Sequence, residues 1–478
     1  MDRHSKITAV IISLAVVCAV FGIMYMIQPA KGTEALGEED MLNAGTGQTI
    51  IQLEKDNVVV TGVGACASGT TVTITQAGTY AVSGVLENGQ IYVDAEDEDV
   101  VELSLRGAKI SNSEGAAIHI ENAGMTRLIA ERGTSSCILS GIQQEWSALK
   151  DGIDEDAFGG AIYAKGDLTI EGIGALQVYG YINNGIHAAD NLTIIGGNAE
   201  VTAVNIGLKG KDSVSIEGGW FTIHSGGDGV HSDGSISVSS GTLDIVTGDD
   251  AVHADEELVI TGGRIRITES HEGLEANQIR LSGGDINITA DDDGINAFGG
   301  KKKEDKDESG KSKGELPNIY ITGASVTIDA EGDGIDSNGN LYVEDGYVVV
   351  NGPTKSDDGA LDFGSENSGV CVVSGGTVFA IGSSGMAETF SNDSKQCSFR
   401  YYFDSALTVG NEITIADGQN RILFWHTVIK PAGCVVFSCP ELEIGETYHL
   451  TVDGQTVDIV QNAVSTTVGQ IPRRGRGR

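Results

Sequence analysis

The sequence predicts an all-β fold, a parallel β-helix with rungs of about 22 residues. Three observations predict it. First, a short phrase recurs: Gly185-Ile186-His187-Ala188, Gly207-Leu208-Lys209-Gly210, Gly229-Val230-His231-Ser232, Ala251-Val252-His253-Ala254, Gly273-Leu274-Glu275-Ala276 and Gly294-Ile295-Asn296-Ala297. Its starts fall at 185, 207, 229, 251, 273 and 294, four steps of 22 and one of 21, and a fixed period in this range marks stacked units. Second, the segments between phrases are alternating, β-branched and closed by Gly-Gly, as in Leu192-Thr193-Ile194-Ile195-Gly196-Gly197, which is the pattern of short strands. Third, no window there carries helical apolar spacing, and 67 Gly against 6 Pro fit turn-rich stacked strands better than a disordered segment.

Taken in order, residues 1–30 read as a cytoplasmic stub and a transmembrane signal-anchor. The run Ile7 to Ile27 is apolar and uncharged, long enough to span a bilayer, and is preceded by Arg3, His4 and Lys6. The remainder is then expected outside the cell, at the membrane surface, or secreted if the segment is cleaved. Residues 31–48 form a polar linker, and 49–396 the β-helix, with 49–110 supplying a cap and the first rungs. An open first rung would pair with other chains, so a cap is required. Ala116 to Ile120 and Gly160 to Ala164 are early copies of the phrase. An insertion between them, Gly141 to Gly159, holds Trp146, Asp151, Asp154, Glu155 and Asp156. It reads as a solvated loop or as a second cation or sugar-contacting loop. Residues 301–318 interrupt one rung and read as a flexible charged loop; removing these 18 residues restores the 22-residue step to Gly334-Ile335-Asp336-Ser337. Residues 397–470 read as an antiparallel C-terminal cap and 471–478 as a basic tail. The six cysteines beyond Cys18 show no metal-type spacing. Free thiols are expected, although Cys434 and Cys439 are close enough in sequence to bridge.

Stacking aligns equivalent residues roughly 4.8 Å apart. The second residue of each phrase is Ile, Leu or Val and points inward, so the third points outward. That outward column reads His187, Lys209, His231, His253, Glu275, Asn296, Asp336 and Asp362. A second column at the preceding turn reads Asn184, Ile206, Asp228, Asp250, Glu272, Asp293 and Asp333. Both become acidic toward the C-terminal end.

The formal net charge of −38 argues against nucleic acid as a partner and for cations. Carboxylates stacked about 5 Å apart repel by roughly 1 kcal/mol in water, and about 3 kcal/mol where partly shielded, unless a cation intervenes. Rigidly held hard oxygens suit calcium. The expected calcium ligands are Asp249, Asp250, Asp255, Glu272, Glu275, Asp292, Asp293, Asp333, Asp336, Asp357, Asp358 and Asp362. His187, Lys209, His231, His253 and Asn296 are expected to hydrogen-bond sugar hydroxyls or carboxylates; a transition metal on the three histidines is the minor alternative. The Gly or Ala that opens each phrase would leave a bare backbone strip on which an extended polymer could lie. Trp220, Tyr179 and Tyr181 are the aromatic candidates.

Gly160-Ala161-Ile162-Tyr163-Ala164-Lys165-Gly166-Asp167, Gly207 to Asp212, His271-Glu272-Gly273-Leu274-Glu275, Asp292 to Ala297 and Gly382 to Ala387, taken together, resemble the bacterial exported carbohydrate-binding domain-containing protein family. Cys439-Pro440-Glu441-Leu442 with Gly445-Glu446-Thr447-Tyr448 is similar to that family's last strands. The resemblance implies a right-handed parallel β-helix like that of pectate-lyase-type polysaccharide lyases, an association with calcium, and plant cell-wall polysaccharide, cellulose or pectic acid, as partner. It carries no individual sugar contacts. The expected function is surface carbohydrate binding without catalysis. The alternatives are a calcium-assisted lyase of uronic acid polymers, with Lys209, Arg264, Arg266 or Arg280 as base, and a structural adhesin.

Overall fold

The computed structural model describes residues 47–142, 159–299 and 316–469. The expected signal-anchor, most of the linker and of the 141–159 insertion, the charged run through residue 315 and the basic tail lie outside the described residues. Among the described residues no helix is long and apolar enough to cross a membrane.

Each repeat contributes three strands. Asn184–Ala188, Asn191–Ile194 and Asn198–Ala203 pair in parallel with Leu208–Gly210, Ser213–Ile216 and Trp220–Ser225 of the next repeat. These pair in turn with Val230–Ser232, Ser235–Val238 and Thr242–Thr247. The chain therefore coils into a β-helix-like stack whose hydrogen bonds run from rung to rung. Ile186, Leu208, Val230, Val252, Leu274, Ile295 and Ile335 form one inward row, all buried. Burying each such side chain contributes about 1.5–3 kcal/mol, which a single rung cannot secure alone.

Glycine is needed at two places in the rung. The second residue of the Gly-Gly turns is left-handed, as at Gly219 (φ 93°) and Gly263 (φ 86°). The glycine that opens the phrase has a different reason. A Cβ on Gly207 would collide with Ile223 and with the Gly229 carbonyl, and one on Gly294 with Ile328 and the Gly334 carbonyl. These glycines are buried, so the expected bare backbone strip is a packed seam inside the rung.

In two rungs the first two strands join, Val252–Ile260 and Leu274–Leu281, with a register shift between Ala254 and Glu257, and in the next two the second and third join, Asn318–Ala330 and Asn340–Asn351. Asn318 already pairs with Gln278, so the interrupted rung resumes at the end of the expected loop. At the N-terminal end the hairpin Gln48–Lys55/Asn57–Thr61 and the antiparallel pair Ala65–Ser68/Thr71–Ile74 precede the first parallel pairing. At the other end Thr377–Gly382 pairs antiparallel with Ala432–Ser438, which also pairs with Ser398–Leu407. One parallel pair, Ser398–Leu407 with Ser465–Val468, departs from the expected all-antiparallel cap. A separate antiparallel sheet, in which Glu412–Ala416 pairs with Ile422–Thr427 and Thr447–Val452 and the latter with Gln455–Val460, packs a second core around Phe379, Phe399, Phe424 and Phe437. The cysteines from Cys66 to Cys439 are free.

Candidate functional site

The rung register lines up the outward column as the repeat requires. His187 faces Lys209, Lys209 faces His231, His231 faces His253, His253 faces Glu275, Glu275 faces Asn296, Asn296 faces Asp336 and Asp336 faces Asp362. The structure extends it upstream through Tyr163 and His119, which lie in the early copies of the phrase, and on to Tyr92, which no copy of the phrase marked. There the rings contact one another. Tyr92–His119, His119–Tyr163 and Tyr163–His187 have centroids 5.2 Å apart.

The expectation that this column faces solvent is corrected. His187, Lys209 and Asn296 are 3%, 5% and 9% exposed. The strands here are only three to five residues wide, and neighbours in the column cover one another. Burial, followed by the charge of Lys209, lowers the His187 pKa to about 4. Lys209 Nζ lies 3.7 Å from Asp233 Oδ1.

The turn column has a structural duty first. Asn184 Oδ1 accepts from the Ile206 N–H at 3.1 Å, Asp228 Oδ1 from Asp250 N–H at 3.2 Å, and Asp250 Oδ1 from Glu272 N–H at 3.2 Å. Asp293 Oδ1 accepts from Asp333 N–H at 2.6 Å and Asp333 Oδ1 from Gly359 N–H at 2.5 Å. In these five rungs one side-chain oxygen thus satisfies a backbone donor of the next rung. In the four aspartates the other oxygen is left for further chemistry.

In the middle rungs that second oxygen meets histidine. His231 Nδ1 lies 2.7 Å from Asp228 Oδ2, and its Nε2 3.2 Å from Asp233 Oδ1. His253 Nδ1 lies 3.1 Å from Asp250 Oδ2 and 2.8 Å from Glu275 Oε2, and its Nε2 3.2 Å from Asp255 Oδ1. Burial opposes charge on both rings, but hydrogen bonds to Asp228 and Asp233, and to Asp250 and Glu275, raise their pKa values above the ordinary range.

Further along, histidine gives out and acids accumulate. Carboxylate oxygens of Asp293, Asp333 and Asp336 lie within 4.8 Å of one another. Burial, then the charges of Asp293, Asp362 and Asp336, pushes Asp333 up to about 8. Burial and the charges of Glu275 and Asp250 push Glu272 up to about 9, and burial with Asp292 and Asp358 takes Asp293 to about 6. None of Glu272, Asp293 and Asp333 meets a cationic side chain at ion-pair distance among the described residues. Asn296 donates from Nδ2 to Glu272 Oε2 at 2.9 Å, while its buried Oδ1 has no donor. An acceptor left without a donor amid carboxylates fits a cation, and the set is all oxygen, as calcium requires.

The remaining expected ligands are dispersed. Asp249 joins Asp228 and Asp250 in an oxygen cluster, Asp255 serves His253, and Asp292 pairs with His271 at 3.6 Å. Asp357 is exposed in a turn and Asp358 is half-buried. Asp362 Oδ1 accepts from the Phe363 N–H at 2.8 Å. Glu388, raised to about 7 by burial and by Asp362, lies beyond the last phrase, so no repeat signal pointed to it.

The candidate lyase bases do not gather at the acids. Arg264 pairs with Asp285 at 3.2 Å, and Arg266, on the same strand, is exposed. Arg280 pairs with Glu257 at 2.9 Å and lies over the Tyr320 ring. Tyr179 is buried and stacks on Tyr181, whereas Trp220 is 55% exposed.

A β-helix-like stack with one continuous column of polar, mostly ionisable side chains is the class of molecule the fold presents. The model of the carbohydrate-binding domain-containing protein family matches residues 68–359 and 258–444, and the chain belongs to that family. A carbohydrate-binding domain-containing protein of Acetivibrio thermocellus is 32% identical over 163 residues, 34% of this chain and 56% of that relative's length. The matched stretch therefore spans little more than half of that relative. A solved structure titled as the polysaccharide lyase-like protein from C. thermocellum, gadolinium derivative, is 28% identical, covers 62% of this chain and 96% of its own, and superposes with a TM-score of 0.40.

Proposed function

We propose that this protein holds plant cell-wall polysaccharide, cellulose or pectic acid, beside the acidic end of the column, and that calcium belongs in that end. The supporting observation is the cluster of Asp293, Asp333 and Asp336 with the donorless Asn296 Oδ1 beside it in the rung register. These four residues would hold the ion. When bound, calcium supplies positive charge that offsets the carboxylate repulsion and offers a bridge to uronic acid groups. A neutral glucan would instead be met by side-chain hydrogen bonds, with Trp220 an exposed ring on a separate strand. The apolar run Ile7 to Ile27 would tether the domain at the outer face of the cell membrane.

The test is retention on insoluble cellulose and on pectate gel, with calcium and with EDTA. Pectate retention is expected with calcium, and is expected to be lost with EDTA and in the Asp333→Asn/Asp336→Asn variant. Retention indifferent to both, or no retention on either polymer, contradicts the reading.

A further inference from the structure

The phrase Asp-x-Val-His-x-Asp occurs twice in adjacent rungs, at 228–233 and at 250–255. We propose that Asp250, His253 and Glu275 bind a borderline divalent cation such as Zn2+, with Asp228 and His231 of the preceding rung within reach to complete its coordination. This site is distinct from the all-oxygen cluster around Asp333 and does not depend on the sugar reading.

The geometry around His253 Nδ1 carries the argument. Two carboxylate oxygens approach that single nitrogen, at 3.1 Å from Asp250 and 2.8 Å from Glu275. One ring N–H points along one direction and cannot serve both acceptors well. Ligand atoms about 2.0–2.2 Å from a tetrahedral zinc ion lie about 3.3–3.6 Å from one another, so the oxygens found here need move back only by a few tenths of an ångström to admit the ion. Ligand atoms of Asp228, His231 and His253 likewise lie within 4.8 Å of one another, so two rungs converge on His253. The side chains are enclosed, with Asp250 10% and Glu275 14% exposed.

The opposite ring edges are arranged to suit. His231 Nε2 and His253 Nε2 each face an outer carboxylate, Asp233 and Asp255, at 3.2 Å. A carboxylate on one nitrogen fixes the tautomer and turns the other nitrogen toward a metal. The mixture of imidazole and carboxylate selects zinc, cobalt or manganese over calcium. The three ligands come from the paired strands Val252–Ile260 and Leu274–Leu281 and the turn before them, so the ion would pin consecutive rungs.

The full chain, stripped of metal and then saturated with calcium, is titrated with Co2+ and followed by visible absorption. One Co2+ per chain with a visible ligand-field band, displaced by Zn2+ and untouched by excess calcium, is expected. His253→Ala should lose the band, and Asp333→Asn should keep it. Should His253→Ala not fold, Asp255→Asn, which leaves the ligands in place, is expected to weaken Co2+ binding 10–100-fold. No saturable band in the parent chain, displacement by calcium, or unaltered affinity in Asp255→Asn and His253→Ala overturns the proposal.

Discussion

The two halves of the outward column share one register and differ in what fills it. In the N-terminal half, the rings of Tyr92, His119, Tyr163 and His187 meet tilted or edge-on, with centroids 5.2 Å apart. In the C-terminal half, the same positions and the turn beside them carry Glu272, Glu275, Asp293, Asp333, Asp336 and Asp362. The rung spacing is the same in both. Rings at that spacing attract, so the first half is complete in itself. Carboxylates at that spacing repel, and burial with the neighbouring acids raises the pKa values of Asp333 and Glu272, so charge in the second half is penalised where in the first half nothing opposes the packing. His231 and His253, between them, show the intermediate case, in which each imidazole is held between carboxylates.

Removing a ring should break the self-sufficient half outright. Tyr163 is 7% exposed and contacts rings on both sides, so Tyr163→Ala is expected to cost about 3–5 kcal/mol, as large aromatic truncations do. Urea melts should give the same loss with calcium as with EDTA. If the proposed calcium site exists, calcium acts on the other half. At a hundredfold excess over its dissociation constant it should add about 2.7 kcal/mol, an increment that Tyr163→Ala keeps and Asp336→Asn loses.

Acid sharpens the comparison through His187. Its folded pKa of about 4 lies below the ordinary value of 6.5, so between these the unfolded chain binds more protons than the folded one. The stability it contributes is present above pH 6.5 and is lost as pH falls toward 4. Between pH 7.5 and pH 5 the loss should be about 2 kcal/mol, and His187→Gln should lack that component in parallel melts.

The smallest effect separates the two duties of the turn column. Asn184 shows that an amide oxygen can accept the next rung's N–H. Asp333→Asn should therefore preserve the contact to Gly359 while removing a buried carboxyl that is costly to ionise. In EDTA the variant is expected to match the parent or exceed it by about 1 kcal/mol, and with calcium it should fall behind.

How much of this was readable depends on what each residue reports. The recurring phrase fixed the rung length and placed His187 through Asp362 in one line, because stacking converts equal spacing into alignment. The early copies of the phrase around His119 and Tyr163 are legible, but their place in the column, and Tyr92 before them, is hidden by steps of 27, 44 and 24 residues. Insertions change the count and leave the register intact. The glycine that opens the phrase was misread as exposed backbone, since nothing local announces that Ile223 or Ile328 will press against it. Period-2 alternation predicted that His187 and Lys209 point away from the core. It did not predict their burial, which comes from neighbours in other rungs. The His–Asp contacts were present as the repeated Asp-x-Val-His-x-Asp, a spacing whose meaning appears only when a turn brings its first residue beside its fourth.

Calorimetric titration of calcium into the metal-free protein at pH 8 tests the central claim most directly. Saturable binding in the parent chain, abolished in Asp333→Asn/Asp336→Asn and unaffected by His187→Gln, is the predicted result. No heat of saturable binding, or equal affinity in the doubly substituted chain, would contradict the account.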